Sequence, residues 1–564
     1  MKKLLLVIAG IALAFSSYGQ AWNWASSGGG RSNSDGFTAI DRDASGNTYI
    51  CGEFEGTKTF GGTSYTAVGF ADVFLSKFNS SGAHQWTLQI SGTTGTSVVE
   101  AGGVTVDGAG NVYLAGNFSF TVSLGGNSYT NAAGNNDGFV AKFSPTGGFI
   151  WAKHLAGNGN ERITTIKNNG TSIYFAGSYS SAITFGTVSL AAPTASSDDA
   201  FLIKMDSAGT AAWGVKGGGA GEDRAFGLSV SSSIIYWAGY FNAVANFGGT
   251  NVTAGGGSSD MFIVKLDAAG TQAWVKDFGG NFGEQVNSVS QDIWGNALCL
   301  GNFYGTVSFG TGMILTEYSP GNPAGNGDAF ICKLEGSTGT CQWVRHIRCT
   351  VADNNEVGAS ISTDPGGSSY ITGSFNATTT FANAANQSGS TLTATSNPGK
   401  DVYVAKYNMN GGLLWVVKLG GTSNDWGKAI VWNPNGFCTV AGNFSGTVTV
   451  STAPAISISA APGSASFFIA NYNGLTTGLQ TINNTLSFDV FPNPADDMIR
   501  INTPGNEAIE KIEIYSVNGT LVSSDKIGFS TTELNYNIEQ LTPGMYFVHV
   551  TTATETGVRK IQIK

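Results

Sequence analysis

Leu266-Asp-Ala-Ala-Gly-Thr-Gln-Ala-Trp274, a tight turn running into a tryptophan strand, is one copy of a motif that recurs along most of this 564-residue chain. The Gly-x-x-x-Trp ending returns at Trp86, Trp151, Trp213, Trp274, Trp343 and Trp415, at intervals of 61 to 72 residues. A period of this size marks a propeller, a solenoid or an array, and it is read before local propensity.

Three further parts precede each tryptophan. The first is an acidic residue leading into a short β-branched run, as in Glu284-Gln-Val-Asn-Ser-Val-Ser290. The second is a strand with an aromatic two residues past a glycine, found at Gly52/Phe54, Gly116/Phe118, Gly177/Tyr179, Gly239/Phe241, Gly301/Phe303, Gly373/Phe375 and Gly442/Phe444. The third is Asp-x-Phe/Tyr-x-x-Lys, starting at Asp72, Asp137, Asp199, Asp260, Asp328 and Asp401, with a degenerate copy at Ser466-Phe-Phe-Ile-Ala-Asn471. Short apolar runs bounded by Gly, Asn, Asp and Ser read as strands. Four strands per unit predict a propeller blade. In Phe262-Ile-Val-Lys265 the apolar residues do not alternate, so both faces are expected to be covered, as they are between stacked sheets.

No tryptophan strand follows the seventh copy, whereas Ala21-Trp22-Asn-Trp24 stands at the start with no unit before it. Pairing the spare strand with the missing one would cover an open sheet edge. The expectation is all-β: a seven-bladed β-propeller over residues 20–473 closed by the N-terminal strand. A linker (474–486) and a small Ig-like β-sandwich (487–564) follow.

Met1-Lys2-Lys3 and the apolar run Leu4–Ala14 form a signal peptide, 1–19, with Ser17 and Gly19 placing cleavage before Gln20. No later stretch is long and apolar enough to span a bilayer as a helix. With 28 basic against 38 acidic residues, a net charge of -10 and pI near 4.9, there is no basic footprint for nucleic acid. The glycines, 80 in all, fall at repeating turn positions between strands and do not signal disorder. Six cysteines suit an oxidising compartment without forming a dense framework. In a symmetric hairpin Cys332 and Cys341 would lie opposite one another, within reach of a cross-strand disulfide.

The tail reads Phe488-Asp-Val-Phe-Pro-Asn-Pro494, then Lys511-Ile-Glu-Ile-Tyr-Ser-Val-Asn-Gly519, then Leu541-Thr-Pro-Gly-Met-Tyr-Phe547. Asn518-Gly519 and Pro543-Gly544 are turn signals between half-buried strands. In wording and order these motifs resemble the type A C-terminal sorting domain of the type IX secretion system of Bacteroidetes. The resemblance implies transit across the outer membrane by that machinery, followed by release or surface attachment. The repeats resemble SBBP β-propeller repeats, a family with no shared activity. Leu266–Trp274 is also similar to the tryptophan-docking motif of pyrroloquinoline quinone dehydrogenases. Those enzymes have eight blades, adjacent cysteines and calcium; this chain has no adjacent cysteines, so the motif is read as sheet packing and no cofactor is expected.

The candidate ligand-binding residues are the acids that open each unit: Asp35, Glu100, Glu161, Asp223, Glu284, Glu356 and Asp425. Set on innermost strands, they would ring one mouth of an axial channel and favour cationic groups; the alternative is that each accepts backbone N–H bonds from a neighbouring sheet. The Asp-x-Phe-x-x-Lys lysines read as strand punctuation. Asp41-Arg-Asp43-Ala-Ser-Gly-Asn47 is similar to the start of a calcium loop but carries Gly52 where the twelfth-position glutamate belongs, so no metal is expected. His84, His154 and His346 flank tryptophan strands and His549 lies in the tail; solvated sheet edges are expected for them. No catalytic motif accompanies them. The resulting expectation is a secreted or cell-surface, monomeric binding or adhesion module for a glycan or surface polymer. Its ligand is expected at the long loops 316–327 and 383–400. The alternatives are a polysaccharide-degrading enzyme using channel-mouth carboxylates, and a structural surface protein.

Overall fold

Residues Arg224–Val230, Ile235–Asn242, Ser259–Leu266 and Gln272–Phe278 pair in that order into a four-stranded antiparallel sheet, and this order repeats along the chain. The computed structural model describes residues 21–29, 36–131, 135–194, 197–256, 258–317, 327–349, 357–383, 389–393, 399–434, 437–452, 455–460, 465–473, 486, 488–503, 508–516, 521–527, 531–552 and 555–564. The expected signal segment, nearly all of the linker, Asp35, Glu356, the Asn518-Gly519 turn and most of loops 316–327 and 383–400 lie outside these residues. The chain divides into two compact units at Leu475/Thr476.

In the first unit, equivalent sheets begin at Phe37, Val99, Glu161, Gln285, Val357 and Asp425. The last takes its fourth strand from the other end of the chain: Ala21–Gly29 pairs antiparallel with Ala465–Asn473. One apolar cluster joins Phe37, Ile40, Ile50 and Phe54 of the first sheet to Ala429, Ala441, Phe467 and Ile469 of the last. Another joins Tyr174, Ala176 and Leu202 to Leu228, Trp237 and Phe262 of the next sheet. The second and third strands are therefore buried over most of their length, and over all of it in Thr48–Phe54 and Asp328–Leu334. Their apolar residues run without alternation for this reason.

The four-strand count per unit needs correction. A two-stranded hairpin stands between the second and third strands of every unit, for example Val244–Phe247 with Thr250–Thr253. Its turn, Gly248-Gly249, has φ of +56° and +95°, a backbone that only glycine adopts without strain. The hairpin does not pair within its own sheet. In three units it reaches back to the outer strand of the preceding sheet, pairing Phe247 with Gly217, Val122 with Gly92 and Phe381 with Ile347, and in two more a single bridge does so, Thr184 with Ala156 and Val448 with Gly421. Outer strands that would present unpaired N–H and C=O groups are thereby covered.

The lysine and tryptophan of the repeat share one further task. Lys265 Nζ and Trp274 Nε1 both donate to the Gly336 carbonyl in the turn of the following unit, at 2.6 and 3.1 Å. Lys77 and Trp86 do the same to Pro145, Lys204 and Trp213 to Ala268, and Lys333 and Trp343 to Met409. The lysines are interunit clamps rather than simple punctuation. Tyr49, Tyr113, Tyr174 and Tyr370 sit beneath the corresponding ammonium groups, 4.6 to 5.3 Å from ring centre to nitrogen.

A bulge at Lys333/Leu334 breaks the symmetric hairpin expected for the cysteines. Cys341 pairs with Leu334, and Cys332 faces Val344 on one side and Cys299 on the other. Cys299, Cys332 and Cys341 are buried free thiols. In the second unit, Asp489–Phe491, Met498–Asn502 and Glu533–Asn537 form one sheet. Leu521–Lys526, Ile509–Ser516, Gly544–Thr552 and Thr556–Ile563 form another, and Phe488, Ile501, Ile512, Val548 and Ile561 fill a common core.

Candidate functional site

Four of the first-strand acids, Glu161, Asp223, Glu284 and Asp425, enter through a turn that opens on glycine four residues earlier. Gly219, Gly280 and Gly421 donate their backbone N–H to Asp223, Glu284 and Asp425 at 2.8, 3.1 and 2.8 Å. Glu161 accepts instead from Ser181 Oγ at 3.0 Å. All four carboxyl groups are sealed in the junction between sheets, with exposures of 0 to 1%. Glu100 is half-buried. Asp223, Glu284 and Asp425 accept backbone N–H bonds as in the second reading, and Glu161 is met by a hydroxyl, because desolvating a carboxyl is tolerated only where N–H or O–H donors meet it.

A second carboxyl joins each of them, the aspartate of Asp-x-Phe-x-x-Lys from the preceding unit. A Cβ on Gly218 would stand 2.5 Å from Asp199 Oδ1 and 2.7 Å from Asp223 Oδ2, so only glycine leaves room for both. Burial, reinforced by the neighbouring aspartate, raises Glu161 and Glu284 to about 8 and Asp223 and Asp425 to about 7. All four thus hold their protons to well above the usual carboxylate range.

The residue three past each tryptophan governs the second aspartate. Gln89 donates to Asp72 at 2.7 Å, His154 lies 2.5 Å from Asp137 and His346 2.6 Å from Asp328. Lys216 and Lys418 approach Asp199 and Asp401 at 3.4 and 3.6 Å. His346, 2% exposed, is thus a core hydrogen-bonding group and not the solvated edge residue expected. His154 is likewise tied to a carboxylate. One sheet breaks the rule by placing Asp277 opposite Phe262, where its counterparts place a donor. Burial, with Asp277 adding to it, raises Asp260 to about 6.

That junction also carries a cavity of about 510 Å³, lined by Tyr240, Asn242, Ala243, Ser258, Ser259 and Gln285. Asn242 and Ser259 are register partners at the ends of their strands, and Gln285 follows Glu284 on the next sheet. The walls are fixed from behind. Asn242 N–H donates to Asp223 at 3.1 Å, Ser258 Oγ donates to the Phe282 carbonyl, and Gln285 Nε2 donates to Asn287 at 2.7 Å. None of the six lining side chains is charged. Asn242 Oδ1 is buried without a hydrogen-bond partner.

The calcium-like loop is consumed by protein donors. Asp43 accepts from Asn47 and Tyr49, and Asp41 from Thr105 and the Val106 N–H of the next sheet. Tyr240 and Asn242 belong to no repeated motif of the chain. The signal was a break in the repeat: at the position of Tyr240 the other units carry Glu53, Asn117, Ser178, Asn302, Ser374 and Asn443.

Residues 489–564 match the family described as the secretion system C-terminal sorting domain. The tail is a secretion sorting domain. Residues 85–117 match the SBBP family, described as a beta-propeller repeat, so the chain joins β-propeller repeats to a type IX sorting signal. The sorting domain marks a protein secreted or held at the cell surface after handling by the type IX machinery. Among the described residues no helix is long and apolar enough to cross a membrane. An uncharacterized WD repeat-containing protein of Acanthamoeba polyphaga mimivirus is 27% identical over 209 residues, 35% of this chain. The chain spans 14% of that relative's length. Among solved structures, quinohemoprotein alcohol dehydrogenase from Comamonas testosteroni is similar with a TM-score of 0.34 and 9% identity, covering 95% of this chain and 73% of that one. A protein of unknown function from Dyadobacter fermentans scores 0.32 at 9% identity, covering 80% and 99%. At such scores neither likeness adds to the argument from the sheets themselves.

Proposed function

We propose that the exported chain is a monomeric binding or adhesion module, a closed seven-bladed ring whose ligand is a glycan or other surface polymer. Sheets beginning at Phe37, Val99, Glu161, Arg224, Gln285, Val357 and Asp425 support the count. Pairing of Ala21–Gly29 with Ala465–Asn473, and the apolar cluster shared by the first and last sheets, support the closure. An experimental structure with another number of sheets would overturn it.

The observation that carries the binding reading is the cavity beside Tyr240, walled by neutral hydrogen-bonding side chains and one aromatic ring. Asp223 and Glu284, the opening acids nearest this wall, lie behind it at 0 and 1% exposure, which favours binding over turnover by them. A glycan array run alongside reducing-sugar release tests the proposal. Binding without turnover supports the module. Turnover abolished by Glu284→Gln or Asp425→Asn would instead establish an enzyme, and neither binding nor turnover would leave a structural surface protein.

A further inference from the structure

Six of the seven units place a small or acidic polar residue between the glycine and the aromatic of the second strand, and where its contacts are seen that residue bonds the next sheet or a residue of its own unit. Asn117 exchanges two hydrogen bonds with the Ile163 backbone of the next sheet, at 2.7 and 3.1 Å. Glu53 accepts the Ala101 N–H at 3.2 Å, and Asn302 accepts from Asn287 at 2.8 Å. Tyr240 gives this contact up. Its hydroxyl turns to Glu222, 3.5 Å away, and its ring packs against Phe226 at 5.9 Å between centroids.

A repeat that abandons a structural hydrogen bond at one position exchanges stability for something else. What stands there is the half-buried tyrosine ring at the edge of the 510 Å³ cavity, facing two side-chain amides and two hydroxyls. Ala243 behind it holds a left-handed backbone, φ +57°, fixed by its carbonyl accepting the Ala254 N–H at 2.7 Å. The wall is thus preorganised. Asn242 Oδ1 is buried and unpartnered, so turning this amide toward the cavity to meet an O–H or N–H donor breaks no hydrogen bond at that oxygen.

We propose that this cavity is a saccharide subsite for one neutral pyranose unit of a polymer, with the sugar face on Tyr240 and its hydroxyls on Asn242, Ser259 and Gln285. A flat aromatic supplies the apolar contact that a sugar's C–H face needs, and neutral amides and hydroxyls match its alternating donors and acceptors. The lining itself is uncharged, and Arg224, the cross-strand neighbour of Tyr240, is already paired with Asp198 and Glu222 at 3.0 and 3.5 Å, so a uronic acid's carboxylate would have to displace these acids to reach a cation. This subsite rests on the reading of the protein as a glycan-binding module.

The test is calorimetric titration of the full mature chain with maltohexaose, cellohexaose, laminarihexaose and oligogalacturonate. Tyr240→Asn is the informative variant, since Asn occupies this position in three other units and restores the repeat's clamp. A neutral hexaose is expected to bind the parent protein and to bind Tyr240→Asn at least about tenfold more weakly, with no fall in melting temperature. Asn242→Ala is expected to weaken the same ligand. Undiminished binding by Tyr240→Asn would overturn the subsite while leaving the glycan-binding reading intact. Binding of oligogalacturonate alone would overturn its proposed selectivity, and binding of none of these sugars would overturn both readings.

Discussion

Glu284 and Asp260 make a buried carboxyl pair with no cation beside it, and its cost can be measured. Burial raises Glu284 from 4.5 to about 8 and Asp260 from 3.8 to about 6. A carboxyl that titrates higher in the folded chain than in the unfolded one holds its proton more tightly when folded. Its contribution is therefore complete below pH 4.5 and is lost as the pH climbs through 8. At about 1.4 kcal/mol per pH unit, the Glu284 shift sets a ceiling near ~5 kcal/mol, and relaxation with water entry brings the expected value to ~2–3 kcal/mol. Glu284→Gln keeps an oxygen for the Gly280 N–H at 3.1 Å and cannot ionise. Urea unfolding followed by tryptophan fluorescence at pH 5, 7 and 9 should show the difference between parent and variant moving by ~2–3 kcal/mol in the variant's favour at high pH. Stability curves that stay parallel within about 0.5 kcal/mol over that range would refute the reasoning.

Asp277→Lys is expected to give Asp260 the partner that Lys216 gives Asp199, adding about 0.5–1 kcal/mol at pH 7 and flattening the alkaline decline; the same unfolding series checks it. Trp274→Ala removes the bond to Gly336 and the packing on Tyr236, 5.7 Å between ring centres, and is expected to cost ~2–4 kcal/mol by urea unfolding. Burial pushes the Cys332 thiol up, and Cys51, Cys299, Cys341 and Cys438 are buried with it. Mass spectrometry after iodoacetamide should find none of these five modified in the folded protein and all five modified in denaturant.

Much of this architecture can be read from residue types alone, because tryptophan, glycine and the Asp-x-Phe-x-x-Lys motif repeat at fixed offsets. Their partners cannot be read that way. Trp274 bonds to a carbonyl 62 residues further on, and Lys265 to the same atom 71 residues on, contacts that no local pattern announces. The inserted hairpins were written in the sequence as Phe247-Gly-Gly-Thr250 and its cognates. Their four-residue arms, alternately exposed and buried, look like loop until a neighbouring sheet edge is there to receive them. The opening acids show the same limit. Their periodicity was visible, but whether Asp223 faces solvent or a protein donor depends on how closely two sheets approach. The glycine four residues earlier was the available clue. Tyr240 was hidden for the opposite reason, since a motif search rewards conformity and this residue matters by departing from its six counterparts.

The pairing of Ala21–Gly29 with Ala465–Asn473 stitches residues about 450 positions apart into one sheet, as in the side-chain bond between Asn23 and Asn471 at 2.7 Å. With the ring closure proposed above, such a seam makes the order of the modules cyclic in space although the backbone is linear. New ends could be cut at any other junction and the old ones fused, giving permuted chains that fold alike. A protease that nicks a single surface turn would by the same logic leave both fragments fastened together, a useful property for a molecule working outside the cell.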